Sequence, residues 1–316
     1  MASQFYKDKV VLVTGGTGLV GTHLLLQLIH QGCRLRVPIH RSPPTVEHPS
    51  IETFPTDLSD PGECEKACRG VDFVFHASGS VGSAGVGPMG IMESIVKNLV
   101  QTAYVMKAAW GQGVKRFLLF GSTSGYSVVE YPVKEEEMWS GNIHPSYFGY
   151  GWMRRYLERL GEFVHSHSGM KVAVLRPTAV YGSWDRSNHV IPALIARAFK
   201  KEDPFVVWGS GEEVRDFVHA ADVARACLIA LEKHAENDPI NIGYGKTIRI
   251  KELVGHVLKL TGHRDARVVF DASKPTTIPF RMVDTAKAKK ILGFETRVSL
   301  EEGLKDAVEW RRKTNF

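Results

Sequence analysis

The chain has 316 residues, 43% of them hydrophobic and 23% charged, which excludes a disordered or low-complexity protein and leaves room for one large domain or two smaller ones. Lys and Arg total 40 against 34 Asp and Glu, a net charge of +6, but these cations are spread along the chain. That distribution suits a phosphate-bearing small molecule better than nucleic acid. The four cysteines are too scattered for a disulfide framework and no secretory leader precedes the first strand, so the expected compartment is the cytoplasm.

The run from Val10 to Ile29, "VVLVTGGTGLVGTHLLLQLI", changes from strand-like to helix-like texture at its glycines, so it is a strand, a turn and a helix rather than a membrane span. Gly15, Gly18 and Gly21 recur at three-residue intervals, letting the backbone turn tightly and approach a pyrophosphate at the helix N-terminus. The second strand, "RLRVPIH", ends with Ile39 where an acid would bond the adenosine ribose diol. His40 and Arg41 follow. Arg41 can neutralise a 2′-phosphate, which favours NADP (NADPH) over NAD; the alternative is a solvated loop arginine. Asp57 and Leu58 follow a short third strand, where a carboxylate can accept from the adenine amino group. Cys64 and Cys68 lie four apart on a helix, a spacing that could share a metal, but no second pair completes four ligands, so no metal is expected.

In the fourth strand, "VDFVFHASG", Ala77, Ser78 and Gly79 pass under the cofactor phosphates. The fifth, "RFLLFGS", presents Ser122 at the carboxyl edge of the sheet. In "YGWMRRYLERL" Tyr150 and Arg154 are i and i+4 on one helix face. A hydroxyl, a phenol and a fixed cation beside a nicotinamide suit hydride transfer at a carbinol or ketone. Tyrosine moves the proton, serine orients the carbonyl, and the cation stabilises the charge left on the phenol oxygen. After "KVAVLRP" the texture loosens into Gly-, Pro- and Trp-rich stretches. A helix over about 221–233 follows, then "PINIG", which returns to the sheet. The last helices are "IKELVGHVLKL" and "SLEEGLKDAVEW", the latter with Ser299 as a cap. Asp222 opens a helix and is expected to serve its N-terminus. His165, His167 and the "KEEE" run Lys134 to Glu137 read as solvated surface, and the spacing of Ser140, Asn142 and His144 does not select them as an entrance. The alternation predicts an α/β protein: a Rossmann-like doubly wound parallel sheet with a smaller C-terminal α/β substrate domain. Residues 1–175 form the dinucleotide-binding domain, with a returning segment at about 216–243, and residues 176–316 are mainly substrate-binding.

"TGGTGLVG", the Ser122 strand, "YGWMR", "RPTAVYG" and "RDFVHAADVA" together resemble the extended short-chain dehydrogenase/reductase family of nucleotide-sugar epimerases, dehydratases and reductases, over nearly the whole chain. "SNHVIPALIARAF" and "VVWGSGEEVRDFVH" are similar to its branch that epimerises and reduces GDP-4-keto-6-deoxymannose with NADPH. The resemblance implies that Tyr150 is the proton donor and that His189, with Val190 beside it, faces the sugar as a general acid. It implies that Trp208, Gly209, Arg215 and Arg281 hold the nucleotide diphosphate. Thr17, Leu19 and Val20 would line the cofactor with the glycines, as would Asn98, Pro177, Thr178 and Val180. A homodimer built through two helices is also implied.

Four positions depart from the pattern. Ser124 stands where a cysteine works opposite the histidine in epimerisation, and a neutral serine is a much poorer base. Ala179 replaces a substrate-contacting asparagine, and the loop before His189 is short. Arg154 replaces a lysine, and a guanidinium cannot readily pass a proton onward. Taken without the resemblance, the residues leave a structural histidine as the alternative for His189 and a surface ion pair as the alternative for Arg215, although the adjacent "WGSG" turn favours an anion site. Thr123 and Ser124 supply no acidic pair after Ser122, so sugar dehydration is not expected. The expected function is NADPH-dependent reduction of a nucleotide-linked, GDP-type 4-keto-6-deoxy sugar, with Ser122, Ser124, Tyr150, Arg154 and His189 catalytic. The alternatives are a redox-neutral nucleotide-sugar epimerase, a non-catalytic NADP-binding sensor, and a reductase of non-nucleotide ketones. Neither a membrane nor a nucleic-acid partner is expected.

Overall fold

Strands that are apolar on both faces can only sit inside a layered α/β structure, and the first half of the chain supplies them. A computed structural model describes residues 4–80 and 87–314. Its large sheet contains β1 (Val10–Thr14), β2 (Arg34–Ile39), β3 (Ile51–Pro55), β4 (Phe73–His76), β5 (Arg116–Phe120) and β6 (Lys171–Pro177). The short β10 (Ile240–Ile242) adds at one edge, giving the order β3-β2-β1-β4-β5-β6-β10 with every pair parallel. The order reverses between β1 and β4, which opens a crevice at the carboxyl ends of those strands.

Helices cover both faces. On one side α1 (Leu19–Leu28) packs beside α6 (Ala220–Lys233), burying Leu24, Leu25, Leu28, Val223 and Ala224 against the sheet. On the other lie α2 (Pro61–Cys68), α3 (Pro88–Gly111) and α4 (Phe148–His167), with Cys64, Cys68, Val105, Met106 and Val164 in a second core. The four cysteines are free and buried, and burial pushes the Cys64 and Cys68 thiols up to about 12. Such thiols behave as small apolar side chains. Among the described residues no helix is long and apolar enough to cross a membrane and no group of three candidate ligands could hold a metal.

A smaller layer follows. β9 (Val214–His219) pairs with β7 (Ala179–Tyr181), with β11 (Thr247–Arg249) and with β13 (Phe280–Arg281), while β8 (Phe205–Trp208) pairs with β12 (Val268–Asp271). Helices α5 (Val190–Phe199), α7 (Ile250–Leu260) and α8 (Leu300–Thr314) close a third core around Phe205, Phe217 and Leu253. Ser299 caps α8 in a reciprocal box: its Oγ accepts from the Glu302 backbone N–H at 3.3 Å and its own N–H donates to Glu302 Oε2 at 2.9 Å.

Candidate active site

The glycine turn is a place where nothing larger fits. Gly15 has φ +67°, and a Cβ there would meet the Ala77 carbonyl oxygen at 2.5 Å; one on Gly21 would meet the Gly15 carbonyl oxygen at 2.0 Å. The turn therefore lies pressed against the end of β4, with Ala77 and Ser78 directly beside it. Gly18 is the N-cap of α1 and no side chain caps that helix or puts an acid in its first turn, where Leu19 and Val20 stand after the half-buried Thr17. An uncapped N-terminus at a switch point is the environment a pyrophosphate needs, so the residues fit a dinucleotide. Ser78 is fixed there by two bonds, its N–H to Thr14 Oγ1 at 3.2 Å and its Oγ to Gln101 Oε1 at 3.1 Å. His40 and Arg41 are exposed beyond the end of β2, as is Asp57 after β3, whose carboxylate accepts from the Ser59 N–H at 2.8 Å. Leu58 puts its side chain into the core, leaving only its backbone for a ligand.

Beneath this floor, His76 is fully buried between Thr14 Oγ1 at 2.8 Å and Thr102 Oγ1 at 3.1 Å. Burial pushes its pKa down to about 3 and the nearby Arg154 charge adds to the effect, so the ring is neutral.

Arg154 links the Gly79–Asn98 corner, at the end of β4, to Tyr150. Its guanidinium donates twice to the Tyr150 phenol oxygen, from Nη2 at 2.6 Å and Nε at 3.1 Å. It also donates from Nη1 to the Phe120 carbonyl and from Nη2 to Asn98 Oδ1, both at 3.2 Å. Asn98 is buried in α3 and donates in turn to the Ser80 and Ser94 carbonyls, while Gly79 has no room for a Cβ beside Asn98 Oδ1. Tyr150, half-buried in the first turns of α4, is thus held from below by a fixed cation. Its neighbour Gly151 lies so near the serine turn that a Cβ would come within 2.6 Å of the Ser124 carbonyl. In that turn Ser122 and Ser124 share a hydrogen bond of 2.8 Å between their hydroxyls, and Ser122 Oγ also accepts from the Ser124 N–H at 3.2 Å. The Ser124 hydroxyl is therefore engaged with Ser122.

A second electropositive feature lies next to the start of α4. Arg215, on β9, and Arg281, on β13, stand at paired positions in adjacent strands, and each lowers its pKa by burial, Arg281 to about 10. Arg281 also feels the Arg215 charge, and the Tyr147 phenol lies in the field of both. Among the described residues both guanidinium groups donate hydrogen bonds to neutral acceptors only, Arg215 to backbone carbonyls and Thr277, Arg281 to the Ser127 and Tyr126 carbonyls. Among the described residues no carboxylate is hydrogen-bonded to either cation, although the Glu213 charge acts on Arg215, and two such adjacent cations have the chemistry to hold a polyvalent anion. Trp208, 44% exposed, ends β8, and Gly209, at φ +94°, follows it. His189 is the half-buried N-cap of α5 and carries Val190 beside it, and Ala179 is exposed at the start of β7. Thr178 is buried, donating its N–H to the Ile242 carbonyl at 2.8 Å between half-buried Pro177 and Val180.

Two expectations change. The "KEEE" run is not uniformly solvated: Glu135 is buried, and its carboxylate accepts from the Asn241 N–H at 2.8 Å because β10 must satisfy that edge amide. Asp222 does more than serve a helix end, since its carboxylate holds Arg225 at 2.7 Å and the Arg297 and Val298 N–H groups at 2.9 Å. A buried network went unread in the sequence: Arg176 pairs with Glu158 at 2.9 and 2.6 Å and donates to the Tyr126 hydroxyl at 2.8 Å, which donates to Asn241 Oδ1 at 2.7 Å. Its signal was there, a charged residue inside an apolar strand and an acid at i+8 from Tyr150 on the same helix face.

The chain can now be set beside known proteins. The model of the NAD dependent epimerase/dehydratase family matches residues 11–243. A putative GDP-L-fucose synthase 2 of Arabidopsis thaliana is 28% identical, covering 96% of this chain and 92% of its own length. A dTDP-4-dehydro-6-deoxy-D-allose reductase of a Streptomyces species is 26% identical over 99% of both chains. Among solved structures, a UDP-glucose 4-epimerase of Thermotoga maritima with UDP-glucose superposes with a TM-score of 0.86 at 29% identity, covering 97% of this chain and 100% of that one.

Proposed function

The chain belongs to the NAD-dependent epimerase/dehydratase family, and from that premise we propose that it is an NADPH-dependent reductase of a nucleotide-linked 4-keto-6-deoxy sugar, GDP-linked by preference. The observation that carries the reading is the Tyr150–Arg154 unit, a phenol bonded twice by a fixed guanidinium that also reaches the cofactor floor through Asn98. A bound nicotinamide supplies the hydride to the carbonyl carbon. Ser122 orients the carbonyl oxygen, Tyr150 gives it a proton, and the phenolate that remains is held by the two Arg154 N–H groups. Tyr150 is half-exposed, so water restores its proton and Arg154 never has to release one. Arg215 and Arg281 supply the diphosphate site, with Trp208 and Gly209 at its edge and His189 and Val190 toward the sugar.

The finer parts rest on local features. NADP is favoured over NAD by Ile39 at the end of β2 and by the exposed His40 and Arg41 beyond it. A homodimer is supported by the outer faces of α3 and α4, where Met92, Val96, Phe148, Trp152, Tyr156 and Phe163 are all at least 44% exposed. Trp110 of α3 meets Phe163 of α4 with ring centroids 6.3 Å apart, so the two faces make one patch, and its occupant is a second copy of the chain. Buried free thiols suit the reducing cytoplasm.

The test mixes the protein with GDP-4-keto-6-deoxymannose and NADPH in D2O, following the nicotinamide absorbance and the sugar by NMR. NADPH oxidation that falls at least 100-fold in Tyr150→Phe supports the reading. Binding of NADPH without oxidation by any GDP-, UDP- or dTDP-linked keto sugar sinks it. The likeness to the UDP-glucose 4-epimerase favours one second reading, a redox-neutral epimerase, which would copurify with its cofactor and leave added NADPH untouched.

A further inference from the structure

The two arginines of the anion site are each tied to one half of the catalytic pair. Arg281 donates from Nη1 to the Ser127 carbonyl at 3.0 Å and from Nη2 to the Tyr126 carbonyl at 3.3 Å, in the segment that leaves the Ser122–Ser124 turn. Arg215 donates from Nη2 to Thr277 Oγ1 at 3.0 Å and to the Ile278 carbonyl at 2.5 Å. Thr277 then takes a second partner, its carbonyl accepting from Ser146 Oγ at 3.3 Å. Ser146 belongs to the single 3₁₀ turn Pro145–Tyr147 that runs into α4, four residues before Tyr150. The segment from Ala272 to Pro279 is thus a strap between β12 and β13, largely exposed, that touches the anion site at one point and the catalytic helix at another.

We infer that this strap couples the nucleotide half of the substrate to the chemistry: a diphosphate seated on Arg215 and Arg281 sets Tyr150 and Ser122 in place, with Ser146 and Thr277 as positioning residues. The inference rests on the nucleotide-sugar reading above. Its physical basis is the choice of acceptors. Among the described residues every hydrogen bond that Arg215 donates goes to a neutral oxygen, and an anionic oxygen forms a bond roughly twice as strong. A diphosphate therefore takes donors from Thr277 and Ile278, and the strap that loses them moves Ser146. On the opposite side Arg281 carries the same change to the serine turn. Binding energy from a part of the substrate remote from the carbonyl is in this way realised at the carbonyl, raising kcat rather than only lowering KM.

The experiment supplies the substrate in two pieces. Free 4-keto-6-deoxymannose and NADPH are given to the full-length enzyme with and without GDP, UDP or dTDP, and each diphosphate's Kd is measured by calorimetry. A binding diphosphate should raise kcat/KM for the free sugar at least tenfold. Ser146→Ala, which removes the hydroxyl that donates to the Thr277 carbonyl, should cut that activation to less than twofold, leave the diphosphate Kd within threefold, and keep the unactivated rate. A diphosphate that binds the wild-type enzyme without accelerating the free sugar overturns the coupling, as does activation that survives in Ser146→Ala. If no diphosphate binds and no nucleotide-linked keto sugar is reduced, the nucleotide-sugar reading fails as well, and the two failures are told apart by the calorimetry.

Discussion

Arg154 fills the position four residues after Tyr150 with a group that keeps its proton, and three different acceptors occupy it: the phenol, Asn98 and the Phe120 carbonyl. A lysine could not reach all three with one ammonium, so the guanidinium holds the phenol more rigidly than a lysine would. The serine turn shows the same shift. Ser124 is bonded to Ser122 at 2.8 Å, so it is spent on orienting its neighbour and is a poor base for deprotonating a sugar carbon. Ser124→Cys should therefore raise deuterium exchange at C3 and C5 of the keto sugar at least tenfold while slowing NADPH oxidation, both read by NMR and absorbance in D2O. Unchanged exchange would mean that His189 or the pocket, rather than residue 124, sets the limit. At the adenosine end, Arg41 has no hydrogen bond or ion pair among the described residues. Replacing it with alanine should raise KM for NADPH about tenfold, the worth of one charge-assisted contact of ~1.4 kcal/mol, and leave KM for NADH within twofold. Equal effects on both cofactors would remove the 2′-phosphate from its role.

Helix α4 does three jobs on two faces. Tyr150, Arg154 and Glu158 follow one another at intervals of four, so the face that carries the phenol ends in the ion pair with Arg176. That pair lies directly under the serine strand: a Cβ on Gly121 would come within 2.2 Å of Glu158 Oε1. The side chains are 1% and 3% exposed, so removing one charge leaves the other buried and uncompensated. Glu158→Gln should cost about 3–5 kcal/mol in urea unfolding. A loss below ~1 kcal/mol would show that Tyr126 and the Glu135 carbonyl suffice for Arg176. The opposite face of α4 presents Phe148, Trp152, Tyr156 and Phe163. Tyr156→Glu places a charge at the centre of that stripe and should convert a sedimenting dimer into a monomer with the fold intact by circular dichroism. A dimer that persists would put the interface elsewhere.

Over the whole molecule, what could be read in advance follows from how local each signal is. The seven large-sheet strands, the glycine turn and the Tyr150–Arg154 spacing are written in contiguous residues, and all appear where periodicity and turn chemistry put them. The Glu158–Arg176 pair, the burial of Glu135 and the strap from Arg215 to Ser146 join residues 18 to 131 positions apart, and no window along the chain contains both partners. Stability against pH is set by the same kind of distant burial. Burial lowers His23 to about 4 and His76 to about 3, so below pH 6.5 the unfolded chain takes up protons that the folded chain refuses, and stability falls as pH drops. Asp216 acts in the other direction. Its carboxylate is buried with only N–H groups of Tyr244 and Gly245 and the Thr178 hydroxyl beside it, and burial raises it to about 6. Its contribution is therefore full below about pH 4 and is lost as pH rises through 6. At pH 5 the histidines favour the unfolded chain by nearly two protons and Asp216 returns about one, so these three groups contribute a slope of roughly 1.4 kcal/mol per pH unit, stability increasing toward neutrality. Urea unfolding from pH 4.5 to 7 measures it directly. Asp216→Asn removes the opposing proton and should steepen the slope toward twice that value, whereas a flat profile in the wild-type protein would mean that His23 and His76 are not held neutral by the fold.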